Sequence, residues 1–408
     1  MYDVIVVGAR CAGSPLAMLL ARRGYRVLVV DRNAFPSDTL STHYIHQPGI
    51  ARLRDWGLLD KLVATGVPPL RRWHASPTLY GFAEVEGVTE TYAPRRTVLD
   101  ALLVDAARAA GAEVIERFTV AGLIWDGGRV VGVRGSSANT GEQDFRASFV
   151  VGADGRNSTV AELVEAEHHR VVPSSTFCSY TYYEGLDWEP QLRLGSDPQM
   201  FGSWPTNDGR HLVVVMRLLD RYSEFRADVA GTFQQAVDQV LPEYGAQLRD
   251  AERVEPFRTL RYPDNYYRRS AGPGWALVGD AGYHKDPLTG WGISDALVYS
   301  ELLADRLHAG LSGEQPVDEA VREYERLRDE RTTDTFDSTC TRAEMKPSPL
   351  HRAILAAAGG SELGRNRYFT MIGGGMKSAE FFARDNMQAL YDAAGTPAAE
   401  RLFPTESC

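Results

Sequence analysis

Residues 3–31 read DVIVVGARCAGSPLAMLLARRGYRVLVVD, and this stretch decides the fold. An apolar run, Asp3–Val7, enters a glycine-bearing turn. An amphipathic stretch, Ala12–Arg23, follows, Gly24 stops it, and Val27–Val30 is a second apolar run. Strand, turn, helix and strand at this spacing form a βαβ unit. Both runs are nearly continuous Val, Ile and Leu, as parallel strands buried on both faces require. An α/β fold with a Rossmann-like sheet covered by helices on both sides is therefore expected.

Within the unit, the turn Val6-Val7-Gly8-Ala9-Arg10-Cys11-Ala12-Gly13 has the form of a dinucleotide loop. The first glycine makes the tight turn and the last lets the helix pack on the strand. Gly8 and Gly13 take those places, and Arg10 stands where a middle glycine is usual. Either its charged arm lies along the phosphates or its side chain turns away while the backbone stays close. Asp31 closes the second strand, 18 residues after Gly13, where a carboxylate accepts hydrogen bonds from an adenosine ribose.

Working outward, Thr97–Ala110 has helical spacing ended by Gly111, and Glu113–Arg117 resumes as a strand. Leu123–Asp126 and Arg129–Arg134 flank Gly127-Gly128, a pair suited to a hairpin turn. From about Val171 to Tyr262 aromatic-rich alternating segments (Phe177–Tyr183, Met200–Trp204, His211–Arg217) predict an antiparallel sheet, with Gly231–Val240 as a helix beside it. Alternation puts Tyr180 and Tyr182 on one face and Ser179, Thr181 and Tyr183 on the other. Trp275–Gly279 returns to the buried-strand pattern and Gly292–Leu307 to helical spacing, so the first domain is discontinuous. After Pro316 the chain reads as helix, interrupted at Lys346–Pro349 and Gly373–Gly375.

The 408 residues exceed what one hydrophobic core usually supports, and 44% apolar with 24% charged residues is a globular balance. A net charge of −10 argues against a nucleic-acid partner. Cys11, Cys178, Cys340 and Cys408 have no metal-like spacing, so no metal site is expected and a reducing cytoplasm fits best. No apolar run approaches the roughly 18 residues of a membrane span.

Two further motifs follow buried strands: Val150-Val151-Gly152-Ala153-Asp154-Gly155-Arg156, and Leu277-Val278-Gly279-Asp280-Ala281-Gly282-Tyr283-His284-Lys285-Asp286-Pro287-Leu288-Thr289-Gly290-Trp291-Gly292-Ile293. The second puts a carboxylate at a strand end and bare backbone amides at a helix start. In order and spacing the three motifs resemble the FAD fingerprints of the para-hydroxybenzoate hydroxylase-like superfamily, which holds group A flavin monooxygenases, geranylgeranyl reductases and flavin-dependent halogenases. The resemblance implies an FAD-binding domain in residues 1–70, 95–165 and 265–315. It implies a substrate domain in 71–94 and 166–264, with a helical region in 316–408. The FAD-binding residues it implies are Gly8, Arg10, Gly13, Asp31, Arg32 and Arg96, then Asp154, Gly155, Gly279 and Asp280, with Pro287, Gly290, Gly292 and Ile293 beside the flavin ring.

Departures narrow the reading. Many group A hydroxylases have Ala-His after Gly-Asp-Ala and an Arg ending the Asp-Gly motif; Gly282-Tyr283 and Ala161 stand here, which puts family-style docking of the nicotinamide in question. The Gly-Trp-x-Trp-x-Ile-Pro string of tryptophan-type halogenases is absent. So is the Cys-Gly pair that geranylgeranyl reductases carry after the acidic strand end, replaced by Leu40–His46. The expected activity is that of an FAD-dependent monooxygenase, reduced by NADH or NADPH, that hydroxylates an aromatic or polyketide-like small molecule through a flavin hydroperoxide. An FAD-dependent reductase or dehydrogenase is the rival, and a non-catalytic flavin-binding regulator a distant third. The chain is expected to act as a monomer or homodimer.

His43 and His46 are the catalytic candidates, because the resemblance implies that the segment after Asp31 runs along the pyrophosphate toward the flavin ring. Capping or packing is the competing role for both. His284 in the flavin-side loop belongs either to the site or to a surface cluster with Lys285 and Asp286. Tyr180, Tyr182 and Trp204 are either sheet core or an aromatic wall for a planar substrate, and Phe369, Met371, Phe381 and Phe382 cover the active site or supply a dimer face.

Overall fold

In the computed structural model the described residues are 1–75, 78–138, 141–195 and 197–403; Cys408 lies outside them. The central sheet orders its parallel strands Glu113–Glu116, Val27–Asp31, Tyr2–Val7, Gly141–Gly152 and Trp275–Leu277. In chain order that is 3-2-1-4-5, the doubly wound order, which reverses direction beside Tyr2–Val7. A crevice must open at the carboxyl ends of Tyr2–Val7 and Gly141–Gly152, where connections leave toward opposite sides. The helices Gly13–Arg22, Arg96–Ala109 and Gly292–Leu311 cover one face, and their Leu16, Leu103 and Leu303 are buried with Val4 and Val29. The strands Phe118–Asp126 and Arg129–Ser137 form the expected hairpin, with Gly127 and Gly128 at positive φ. This hairpin rather than a layer of long helices covers the other face, its Phe118, Val120, Val130 and Val133 packing against Ile5, Leu28 and Val150.

A second, mostly antiparallel sheet carries Thr176–Glu184 beside His211–Leu218, then Gln199–Pro205, Gln191–Leu194 and Arg72–Ala75. Its period-two pattern divides the side chains as alternation requires. Cys178, Tyr180, Tyr182, Met200, Trp204 and Met216 pack on one face toward Tyr44, Ala93 and Phe369. Phe177, Tyr183, Phe201 and Val215 pack on the other, under Phe225, Phe233 and Val237.

A short sheet of His168–Val172, Asn265–Arg268 and Tyr283–His284 joins these bodies. This pairing overturns the surface-cluster reading of His284, Lys285 and Asp286. Tyr283–His284 is a strand, the whole tripeptide is buried, and each charge has a local partner. The long helix Val317–Ala343 lies along Gly292–Leu311 and seats Phe336 against Tyr267 and Tyr283. The shorter helices Pro349–Gly360, Glu362–Ile372, Ser378–Phe381 and Arg384–Ala393 make their own core around Phe381, Met387 and Tyr391. Among the described residues no helix is long and apolar enough to cross a membrane.

Candidate active site

Two cavities open inside the molecule, and they share walls. The first, about 400 Å3, occupies the crevice at the strand ends and is lined by Gly8, Arg10, Asp31, Arg32 and Arg96. Asp154, Gly155, Gly279, Asp280, Pro287, Gly290, Gly292 and Ile293 complete the part read from the sequence. Gly13 lies behind this wall. A Cβ on Gly13 would sit 1.8 Å from the Gly8 carbonyl oxygen, so its hydrogen side chain is what lets the helix start against the turn. Gly8 itself has φ +104°, and a Cβ there would meet the Ala153 carbonyl oxygen at 2.5 Å. The two loops at the switch point therefore touch backbone to backbone, with the Ala153 amide donating to the Val7 carbonyl at 2.7 Å.

The Gly13–Arg22 helix begins without a side-chain cap or an acidic residue in its first turn, leaving its amino end free to face an anion. Arg10 resolves the open question of its side chain. The guanidinium pairs with Asp100, and its Nη2 donates to Ser37 Oγ at 3.0 Å and to the Asp38 carbonyl at 3.3 Å. Asp100 also accepts from Arg96 Nε and Nη2, each at 3.0 Å. One fully buried carboxylate thus orients two arginines on the cavity wall. Asp100 was not read from the sequence. The signal for it was the Arg96–Asp100 spacing of one helical turn.

Three carboxylates at strand ends have different jobs. Asp31 Oδ2 accepts the Ala9 amide at 2.8 Å and Oδ1 the Asn33 amide at 2.7 Å, tying the glycine turn to the second strand. Asp154 faces its own turn, accepting from Ser158 Oγ at 2.5 Å and the Val160 amide at 3.2 Å; burial pushes its pKa up. Asp280 is the open one, with its side chain 41% exposed toward the cavity. Enclosure works to raise its pKa, but His284, 3.5 Å away, together with Arg156 and Arg96 outweighs it and holds the carboxyl below its usual range.

The two histidines separate. His43, at φ +45°, lines the first cavity; its Nε2 lies 3.0 Å from the Tyr182 hydroxyl, and its Nδ1 faces the Ala93 carbonyl at the limit of hydrogen-bonding geometry. Burial and the neighbouring Arg95 charge drive its pKa down to about 3, so the ring is neutral. His46 lines the second cavity. Its Nε2 donates to the Thr289 carbonyl at 2.8 Å, and its amide, at the start of the helix Gln47–Asp55, donates to Ser294 Oγ at 2.8 Å. Burial lowers its pKa to about 4. A neutral imidazole that donates from Nε2 leaves Nδ1 as a proton acceptor.

The second cavity, about 860 Å3, shares Thr42, Tyr44, Pro287 and Gly290 with the first. Its inner wall is Trp73, Met200, Trp204, Val214 and Met216 from the second sheet, with Trp291 stacked on His46. Its outer wall comes from Val317–Ala343 and the helices after it, including Phe369, Met371 and Phe382. Phe381 is instead buried in the helical core. Trp204 is thus an aromatic wall, whereas Tyr180 and Tyr182 are sheet core, anchored through the Ser41 amide and His43.

The FAD binding domain model matches residues 1–339 of this sequence. The chain belongs to the FAD binding domain family. Its relatives place it in the para-hydroxybenzoate hydroxylase-like superfamily. The chain is 26% identical over 345 residues to a tryptophan 2-halogenase of Chondromyces crocatus, covering 79% of this chain and 64% of that protein. It is 27% identical to digeranylgeranylglycerophospholipid reductase 1 of Methanopyrus kandleri, covering 85% and 91%. It is 26% identical to a rifampicin monooxygenase of Streptomyces venezuelae, covering 86% and 73%. The solved flavin-dependent brominase Bmp2 superposes with a TM-score of 0.79 at 19% identity, covering 97% and 98%, a likeness of fold. The first cavity lies in the part of the chain that the FAD-binding family match spans, and the outer wall of the second comes largely from residues beyond it.

Proposed function

We propose that this FAD-binding protein is a monooxygenase that hydroxylates an aromatic or polyketide-like small molecule at the expense of NADH or NADPH. The observation that carries this reading is the junction of the two cavities at Thr42, Tyr44, Pro287 and Gly290. A planar redox group held in the first cavity would meet the large aromatic-walled chamber at that junction.

The residues present fit FAD. Gly8 and Gly279 bring bare backbone to the crevice at positive φ, the capless helix end suits a pyrophosphate, and Asp31 and Asp280 suit ribose and ribityl hydroxyls. Pro287, Gly290, Gly292 and Ile293 offer the ring a backbone edge. Bound FAD supplies the electron transfer and oxygen activation. The chain's residues do the rest. Trp73, Trp204 and Trp291 exclude water and offer flat faces to a planar substrate, and His46 Nδ1 accepts a proton from a substrate hydroxyl or relays one at the junction.

The balance is NAD(P)H, a proton, dioxygen and R–H giving NAD(P)+, water and R–OH. The test is oxygen uptake during NAD(P)H oxidation by the purified yellow protein, screened over aromatic and polyketide-like compounds. The expected result is substrate-stimulated oxidation with one oxygen consumed per NAD(P)H and a product heavier by one oxygen atom. Substrate reduction without oxygen uptake would replace this reading with a reductase, and flavin binding without any turnover would replace it with a non-catalytic role.

A further inference from the structure

The substrate chamber is two-faced. Its sheet wall is apolar, but the face that Val317–Ala343 turns toward it runs Leu327, Arg331, Asp334, Ser338 and Arg342, a stripe at helical spacing. Lys346 and Lys377 extend the same wall, and Arg365 joins it with Nη1 donating to the Gly359 carbonyl at 3.2 Å. The two acids on this wall are already engaged. Glu330 pairs with Arg326 at 2.8 Å, and Asp334 accepts the Ser378 amide at 2.8 Å. Among the described residues, Arg331, Arg342, Lys346 and Lys377 make no ion pair.

A chain of net charge −10 therefore lines one side of its 860 Å3 cavity with cations. Exposed lysines at a rim need no explanation. Arg342 is different, because it is half-buried, lines the same cavity as the apolar sheet wall and makes no ion pair among the described residues, so its part-desolvated guanidinium at the end of the helix has room for an anion.

We propose that the substrate carries an anionic group, a carboxylate or a phosphate, which seats against Arg342 with Arg331 and Lys346 beside it while the aromatic body lies on Trp73 and Trp204. This rests on the chamber being the substrate site. It narrows the substrate class to amphipathic anions and disfavours an uncharged hydrocarbon chain, which would desolvate these cations without pairing them.

The test uses the FAD-loaded full chain and three probes with the same ring system: 2-naphthoate, 2-naphthyl phosphate and 2-naphthamide. Binding is read from the absorption of the bound flavin and from tryptophan fluorescence. At least one anionic probe is expected to bind about tenfold more tightly than the amide, and whichever does identifies the anion. Arg342→Gln and, as a second variant on the exposed segment beyond the helix, Lys346→Gln should shrink that preference while leaving amide affinity and melting temperature unchanged. Trp204→Ala should weaken all three probes alike. Equal binding of anion and amide, or a preference untouched by both charge variants, would overturn the proposal. If Trp204→Ala affects no probe, the chamber is not the binding site, and the monooxygenase reading loses its supporting observation as well.

Discussion

Asp100 grips Arg96 with both carboxylate oxygens, each 3.0 Å from a guanidinium nitrogen, one helical turn away on the same helix. The same carboxylate takes Arg10 from the glycine turn 90 residues earlier. The carboxylate is a joint between the first loop and the helix Arg96–Ala109, and it fixes two cations on the wall of the first cavity.

Asp100→Ala should therefore cost about 3 kcal/mol of unfolding free energy, since it strands the buried Arg96 guanidinium and removes one of the contacts of the part-buried Arg10. Urea denaturation measures it. The exposed pair Arg134–Asp144 is the control: Asp144→Asn should leave the midpoint unchanged. A midpoint equally unmoved by Asp100→Ala would show that the joint carries no stability.

Asp280 and Asp154 occupy similar strand ends but predict different mutants. Asp280 opens to the cavity, so Asp280→Ala should leave the fold intact and weaken FAD by about 1.5–3 kcal/mol, roughly ten- to a hundredfold. Asp154 is consumed by Ser158 and Val160, so Asp154→Ala should lower the melting temperature first. Titration of apoprotein with FAD beside a thermal melt separates the two effects. Full FAD affinity in Asp280→Ala would remove that residue from the site.

These contrasts show what a sequence displays and what it hides. The βαβ unit was legible because Asp3 to Asp31 encodes strand, turn and helix within one local stretch, and the Gly8 and Gly13 constraints are backbone constraints. The Tyr180 and Tyr182 face followed from simple alternation. Asp100 was not legible as a double partner, because Arg10 reaches it across the fold. The chamber was hidden for the same reason: Trp73, Trp204, Trp291 and Arg342 come from four separated segments. The string His284-Lys285-Asp286 misled because charge suggests solvent, whereas strand pairing with Asn265–Arg268 and the 2.5 Å contact of Lys285 with Asp295 let it be buried.

The buried histidines predict acid sensitivity. His43 and His46 have pKa values near 3 and 4 in the fold against an ordinary 6.5, so between about pH 4 and 6.5 the unfolded chain binds protons that the native one refuses. Stability contributed by the neutral rings is complete above pH 6.5 and falls as pH drops, by up to about 1.4 kcal/mol per pH unit for each ring. Unfolding free energies at pH 7.5, 6 and 5 should show His46→Gln losing less on acidification than the parent. Identical slopes would mean that His46 does not contribute to the pH dependence.

Of the two candidate histidines, His46 is the one that lines the second cavity. His43 lines the first cavity with its ring tied to the Tyr182 hydroxyl, whereas His46 faces the chamber, held by the Thr289 carbonyl and by stacking on Trp291 with ring centres 4.2 Å apart. His43→Ala should accordingly act through packing, with turnover per folded, FAD-loaded molecule near normal. His46→Gln keeps a polar side chain and spares FAD, but it removes the aligned Nδ1 acceptor, so turnover should fall about 10²–10⁴-fold if that nitrogen moves a proton. Packing alone predicts another pattern, in which loss of the Trp291 stack loosens the junction and hydrogen peroxide release rises while NAD(P)H oxidation stays fast. Recording oxygen uptake, peroxide release and flavin content on the same His46→Gln sample distinguishes the two. Slow oxidation without excess peroxide assigns proton transfer to His46, fast oxidation with peroxide assigns it a sealing role, and unchanged turnover with full coupling removes it from the reaction.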